Sequence, residues 1–350
     1  MLEDHGRCPS ALLDDTSESI TSLPILVLNA HSRCNCRCVM CDIWKRDAAT
    51  EVTAADLESH RESMRRLRVE WVVLSGGEPL MHSDLGALCT FFRELDIRLT
   101  LLTTGLLLAR RASEVAAYFD DIIVSLDGPR PVHDSIRRVN GGFDLIQSGI
   151  AAIRTLRPGM QVTARTTVQK QNHAHLLETM LAARALRFDG ISFLAADLTS
   201  EAFNRPLLWP AERQSDIGLS PEEVKVLAQS VEDIVKRCAA DDAYRNYVAE
   251  SPAKLRKIVT HFRAHLGDTN FASPRCNAPW VSAVIEANGS VRPCFFHRPV
   301  GSIRNNTLEE IVNGEEARKF RSELDVGSNP VCRQCVCSLY RVEPLKQLGQ

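Results

Sequence analysis

The chain has 350 residues, enough for one large domain or two modest ones at about 150 residues per domain. Its 42 Lys and Arg against 44 Asp and Glu leave a formal charge of −2 and a pI near 6.6, so no broad basic field marks it as a nucleic-acid binder. Apolar residues make up 44% and charged residues 25%, ordinary for a soluble globular protein, and no apolar run nears the 18 or so residues that span a bilayer. The opening MLEDHGRCPS carries neither a basic stretch nor an apolar one, so no secretory signal is expected and a reducing, cytoplasmic setting is.

Residues 1–22 read as an N-terminal extension without strong pattern. From 23 to 197, short β-branched or apolar runs alternate with stretches of helical periodicity. Strands are predicted at 24–29, 70–74, 98–103, 121–126, 161–168 and 190–195, and helices at 54–67, 84–95, 143–156 and 173–186. Nearly continuous apolar strands imply burial on both faces and parallel pairing. Right-handed crossovers then curl six βα units into an α/β fold, a partial (β/α)6 TIM-like barrel with its functional groups at the strand C-terminal ends. Residues 198–270 break the rhythm as a helical bridge: a Pro-rich polar stretch, a helix over 220–238 opened by Ser220 and Pro221, and a helix over 252–265. Residues 271–350 form a small C-terminal domain, in which strands at 280–286 and 290–293 flank Ala287-Asn288-Gly289, a hairpin signal.

Twelve cysteines need a reason, and their grouping supplies one. Cys34, Cys36, Cys38 and Cys41 fall within eight residues; Cys276, Cys294, Cys332, Cys335 and Cys337 gather near the C-terminus; Cys8, Cys89 and Cys238 stand alone. Disulfide frameworks belong mostly to short secreted domains, whereas dense groups in a large cytosolic chain hold metal. Cys34-x3-Cys38-x2-Cys41 follows the first strand and offers three thiolates on one tight loop. An iron-sulfur cubane is normally held by four, so three leave one iron open to another ligand. Cys36 as a fourth ligand would close that vacancy, so it reads as a small packed side chain. Zinc is the alternative occupant, but it leaves Gly76-Gly77-Glu78-Pro79, after the second strand, without a purpose.

CxxxCxxC after the first strand, with Gly76-Gly77-Glu78-Pro79 after the second, resembles the radical S-adenosylmethionine superfamily. The resemblance implies that Cys34, Cys38 and Cys41 ligate a [4Fe–4S] cluster whose open iron chelates the amino and carboxylate groups of S-adenosylmethionine. One electron then cleaves the sulfonium, and the resulting 5′-deoxyadenosyl radical abstracts a substrate hydrogen. It further implies that Met40 meets the adenine, where an aromatic is more usual, and that Gly76, Gly77 and Glu78 receive the methionyl ammonium. Ser125 and Asp127 resemble residues that bind the ribose or carboxylate, and Arg165 one that clamps the carboxylate. A glycine pair lets a ligand approach the backbone, a carboxylate suits an ammonium, and a guanidinium fork suits a carboxylate. Strand-end hydrogen bonding is the other reading of Ser125, Asp127 and Arg165, and turn formation that of Thr104-Gly105.

Cys276, Gly289 and Cys294 at C-x12-G-x4-C spacing, with the later Cys332-x2-Cys335, resemble the twitch domain, a shortened relative of the SPASM domain. The resemblance implies one auxiliary [4Fe–4S] cluster on Cys276, Cys294, Cys332 and Cys335, with Cys337 as an alternative fourth ligand. A full SPASM domain continues with further cysteines, whereas only Cys337 follows here before Gln350; a zinc ribbon is the alternative. A cluster with four protein ligands has no open iron and relays electrons. The expected protein is therefore an oxidoreductase acting on a small molecule, reduced by a donor such as flavodoxin or ferredoxin. A peptide-modifying maturase is the alternative, made less apt by the short stretch before the first strand. An iron-sulfur electron-transfer or zinc-stabilised binding protein is the non-enzymatic one.

His261 and His265 are four apart on the helix over 252–265, but HFRAH lacks the glutamate of HExxH, and a solvated helix face is expected. Cys89 and Cys238 are expected to pack as small hydrophobes. Glu201, Asn204, Arg205, Trp209, Glu212 and Arg213, in the bridge, either line a substrate pocket or merely connect domains.

Overall fold

A computed structural model describes residues 19–45, 48–203, 205 and 207–342. Cys8, Asn204 and most of the expected N-terminal extension lie outside the described residues. Six strands run in chain order: β1 Ile25–His31, β2 Trp71–Gly76, β3 Arg98–Thr103, β4 Asp121–Ser125, β5 Gln161–Val168 and β6 Gly190–Ala195. Each pairs in parallel with the next, through registers such as Val27 with Val73, Leu101 with Ile122 and Ala164 with Ile191. No pairing joins β6 back to β1, so the barrel is partial.

The strands are buried unequally on their two faces. Leu26, Leu28, Val72, Leu74, Leu99, Leu101, Ile122, Val124, Val162 and Ala164 are at most 1% exposed. Their alternates Val27, Val73, Leu102, Ile123, Arg165 and Thr167 are only half-buried. Side chains alternate across a strand, so one face packs dry against helices while the other looks into an open lumen. Polar residues gather on the strands toward their C-terminal ends, at Asn29, Ser75, Thr103, Ser125 and Arg165.

The helical layer comprises α1 Ala54–Leu57, α2 Arg61–Arg66, α3 Leu85–Arg93, α4 Ala112–Tyr118, α5 Arg130–Arg137, α6 Gly142–Leu156 and α7 Leu176–Ala185. The helix expected over 54–67 is split by a 3-10 turn at Glu58–His60, where His60 turns inward. Its Nδ1 accepts from Leu308 N at 3.1 Å, and its Nε2 lies 3.1 Å from Ile303 O. The bridge contains α8 Ala211–Ile217, α9 Pro221–Ala240 and α10 Pro252–His265. Ser220 caps α9 in a capping box with Glu223, as its sequence position suggests. Beyond α9 the chain returns to the free edge of β6: Ile191 N donates to Tyr247 O and Ala249 N to Ile191 O, both at 2.9 Å. That covers an edge open to pairing with another chain.

The C-terminal segment folds as α11 Ala278–Val281, β7 Ser282–Ile285, β8 Ser290–Arg292, β9 Gly301–Ser302, α12 Leu308–Val312, α13 Glu315–Glu323 and α14 Pro330–Arg333. β7 and β8 form the expected hairpin, and Gly289 takes φ +90° in its turn. The hairpin is part of the barrel sheet: β7 pairs in parallel with β1, Ile25 opposite Ser282, and the sheet order is β6-β5-β4-β3-β2-β1-β7-β8-β9. No described helix is long and apolar enough to cross a membrane.

Candidate metal centres and the cavity between them

The chain leaves β1 at His31 and crosses the end of β2 before reaching Cys34. Gly77 N donates to His31 O and Glu78 N to Arg33 O, each at 2.9 Å. A Cβ on Gly77 would lie 2.0 Å from Arg33 O, and one on Gly76, at φ +116°, 2.8 Å from His31 O. The glycine pair thus admits the chain's own cysteine-bearing strand extension. On its far side the loop rests on the C-terminus of α5, through Arg37 N to Arg137 O at 3.2 Å and Val39 N to Ile136 O at 3.0 Å.

Cys34, Cys38 and Cys41 line a cavity of about 870 Å³. Cys36 does not; it is 1% exposed, its thiol lies between Cys34 and Cys38, and these contacts and its burial push it far up. The Cys38 thiol is lowered to about 6 by the Cys36 thiol beside it and by the Arg137 guanidinium, against its burial. Arg137 Nη1 donates to Cys38 Sγ at 3.5 Å, Cys36 N to Cys34 Sγ at 3.5 Å and Ile43 N to Cys41 Sγ at 3.4 Å. Among the described residues, no three His, Cys, Asp or Glu side chains close on a single-ion site. Three cavity-facing thiols stabilised by N–H donors and one guanidinium form a donor set suited to an anionic cluster.

Of the residues expected around S-adenosylmethionine, Met40, Gly76, Gly77, Ser125 and Arg165 line the cavity. Ser125 and Arg165 are register partners on β4 and β5, and Arg165 Nε donates to Ser192 Oγ at 3.2 Å. Glu78 lies behind the wall, fully buried. Its carboxylate accepts from Leu80 N at 3.0 Å, Thr103 Oγ1 at 2.8 Å, and Thr104 N and Oγ1 at 2.7 Å each. Burial pushes its carboxyl up, and the threonine donors oppose the shift. The groups offered to the cavity here are Gly76, Gly77, Thr103 and Thr104. Asp127 is also fully buried and off the wall: Arg137 Nη2 lies 2.6 Å from its Oδ2, and Thr167 N donates to its Oδ1 at 2.9 Å.

Cys276 precedes α11, Cys294 follows β8, and Cys332, Cys335 and Cys337 lie in and after α14; the fold gathers all five. Asn277 holds the two halves together, its N donating to Leu339 O at 2.8 Å and its side chain to Arg341 O at 2.7 Å. Burial lifts the Cys294 thiol to about 11 and that of Cys332 to about 12, with the neighbouring cysteines adding to both shifts. Cys337 N donates to Cys335 Sγ at 3.3 Å. Cys337 is exposed and lines the same large cavity as Cys34, Cys38 and Cys41. His297 Nε2 lies 3.4 Å from Cys332 Sγ, a neighbour whose sole sequence signal is its place three residues after Cys294.

The bridge forms the cavity's outer wall. Glu201, Arg205 and Trp209 line it, whereas Glu212 and Arg213 sit on α8 outside the lining. Arg205 Nη1 lies 2.6 Å from Asp197 Oδ2 in a buried pair, and its guanidinium stacks 3.6 Å from the Trp209 ring centroid. Trp209 Nε1 donates to Asp42 Oδ2 at 2.8 Å, and the Arg213 guanidinium donates to Val39 O, pinning bridge to cysteine loop. Phe203 stacks on Phe295 at 6.4 Å and meets Phe296 edge-on at 6.3 Å, while Leu207 and Leu208 are 78% and 54% exposed. The solvated face expected of His261 and His265 is corrected: their Nε2 atoms are 3.1 Å apart beside Phe271, and burial lowers both imidazoles, His261 to about 3.

Residues 28–183 match the family model for the radical SAM superfamily, and residues 276–336 that for an iron-sulfur cluster-binding domain, SPASM. A pre-heme d1 synthase from Dinoroseobacter shibae is 34% identical over 46% of this chain, a match that spans only 40% of that relative's length. An AdoMet-dependent heme synthase from Methanosarcina barkeri is 27% identical over 95% of each chain. The crystal structure of Streptococcus suis SuiB bound to precursor peptide SuiA shares the fold, with a TM-score of 0.63 at 17% identity over 91% of this chain and 72% of that one.

Proposed function

As the chain belongs to the radical S-adenosylmethionine superfamily and carries a SPASM-type iron-sulfur domain, we propose that it oxidises a broad, flat, carboxylate-bearing small molecule of the tetrapyrrole class. The observation that carries this reading is the single cavity bordered by Cys34, Cys38 and Cys41 on one side and Cys337 on another. Its volume of about 870 Å³ would take the first cluster and S-adenosylmethionine together with the substrate. Phe203, Phe295, Phe296, Leu207 and Leu208 give it an apolar wall suited to a planar ring system. The names of the two relatives point the same way.

Cys34, Cys38 and Cys41 would hold the first cluster, and Cys276, Cys294, Cys332 and Cys335 the auxiliary one, with Cys337 as alternate. Gly76, Gly77 and Thr104 present backbone and hydroxyl groups to a methionyl ammonium, while Arg165 and Ser125 face its carboxylate or ribose and Met40 its adenine. Glu78 shapes this edge from behind by fixing Thr103 and Thr104. When bound, the clusters and S-adenosylmethionine supply a hydrogen-abstracting 5′-deoxyadenosyl radical and an acceptor for the electron that the substrate then loses. Trp209, Arg205 and Phe203 form part of the outer wall beside the substrate.

The test is anaerobic reconstitution followed by reduction with S-adenosylmethionine and, in turn, iron-tetrapyrrole carboxylates, precursor peptides or no addition. Tetrapyrrole-dependent 5′-deoxyadenosine, about tenfold above the no-addition rate and matched by an oxidised product mass, is expected. Stimulation by peptide alone would turn the assignment to peptide maturation. No release from fully loaded protein would leave the non-enzymatic reading.

A further inference from the structure

Helix α5 ends on the cysteine loop. The main-chain donors of Arg37 and Val39, the residues flanking Cys38, are taken by the Arg137 and Ile136 carbonyls of its last turn. A helix C-terminus carries partial negative charge, which disfavours a thiolate beside it. The same residue brings the opposite charge. Arg137 is 8% exposed, places Nη1 3.5 Å from Cys38 Sγ, and is clamped through Nη2 by Asp127 at 2.6 Å.

Asp127 is itself immobilised. Thr167 N donates to its Oδ1 at 2.9 Å, its own N donates to His133 Nδ1 at 3.2 Å, and Asn172 Nδ2 donates to its carbonyl at 2.9 Å. Arg137 Nε is buried with no hydrogen-bond partner, although the residue reaches the cavity wall. A buried donor without a partner costs free energy unless an acceptor arrives. Cys34 and Cys41 receive neutral backbone N–H groups; of the three, Cys38 alone receives a charged donor among the described residues.

We propose that Arg137, held by Asp127, is a positioning residue that sets the reduction potential of the cluster at Cys34, Cys38 and Cys41 and makes it easier to reduce. The inference rests on the reading that those three thiolates hold a cluster. Reduction adds one negative charge, and a fixed guanidinium within hydrogen-bond range of a ligand sulfur stabilises the more negative state. Asp127 offsets part of that field from farther away, so the two residues act with opposite signs.

The experiment is an EPR-monitored redox titration of the anaerobically reconstituted holoprotein, after iron and sulfide have been counted. In Arg137→Met the ratio of reduced to oxidised first cluster at a fixed potential should fall about tenfold, a midpoint about 59 mV more negative for a one-electron couple. Arg137→Lys should recover most of the loss. Asp127→Asn, which keeps the acceptor for Thr167, should move the midpoint the other way. The auxiliary cluster, ligated from another part of the chain, should hold its potential in all three. An unshifted midpoint in fully loaded Arg137→Met overturns the proposal, as does a shift of the same sign in Asp127→Asn. Should Arg137→Met fail to load, the signs of Arg137→Lys and Asp127→Asn decide. A wild-type protein lacking the first cluster's signal would instead remove the reading beneath, and its iron count separates that result from the others.

Discussion

Gly77 lies where the cysteine loop crosses β2, with a methyl's place 2.0 Å from Arg33 O. Gly77→Ala therefore forces two backbones apart and should cost about 3 kcal/mol or more, read as a lower urea midpoint; an unchanged midpoint would mean that the crossing relaxes freely. Cys36→Ala, by contrast, removes a thiol that does not face the cavity, and iron and sulfide should stay near eight per chain if both sites hold cubanes. Alanine at Cys34, Cys38 or Cys41 should halve that number, and a halved count in Cys36→Ala would make it a ligand. At this scale the gathering of Cys34, Cys38 and Cys41 on one cavity wall was legible in their spacing, whereas the close crossing of the Cys34 loop over Gly76 and Gly77 was not. Nor were the places of Glu78 and Asp127: both acids follow strands, yet each is fully buried off the cavity wall and held by partners from elsewhere, Thr103 and Thr104 at the end of β3 for one and Arg137 on α5 for the other.

Among elements, the strands were read within a residue or two, with β3, β5 and β6 at their observed limits, because one dry face makes alternate positions uniformly apolar. Helices α4, α5, α8 and α11 to α14 went unread, as did the two-residue β9. In α5, RPVHDSIR buries only His133, Ile136 and Arg137, so its inward stripe is mostly polar and looks like a loop; the helix that bears Arg137 was thereby hidden. The α9 cap was plain from Ser-Pro-Glu-Glu, since a hydroxyl and a carboxylate three residues apart satisfy each other's backbone donors. Ser220→Ala should cost about 1 kcal/mol in chemical denaturation, and a loss below a few tenths would show α9 held by packing alone.

The whole molecule should weaken in mild acid. Burial holds His133 and His261 down to about 3, below the ordinary 6.5 of an exposed imidazole. Because the folded value lies below the unfolded one, the stabilisation is complete above pH 6.5 and is lost as pH falls from there toward 3. For His133, 1% exposed, the loss at pH 5 is about 2 kcal/mol. The urea midpoint of the unreconstituted protein should drop between pH 7 and pH 5, and a flat profile would mean that these rings reach solvent. The attachment of β7 to β1 was illegible in sequence, since parallel partners more than 250 residues apart leave no local trace.

That attachment has a consequence for distance. β1 runs into the loop of Cys34, and the hairpin begun by its neighbour β7 ends at Cys294. The separation of the two cysteine groups is therefore written in the alignment of adjacent strands, so lengthening the turns on either side of α9 should leave it unaltered, whereas slipping β7 by two residues should carry Cys294 about 7 Å along β1.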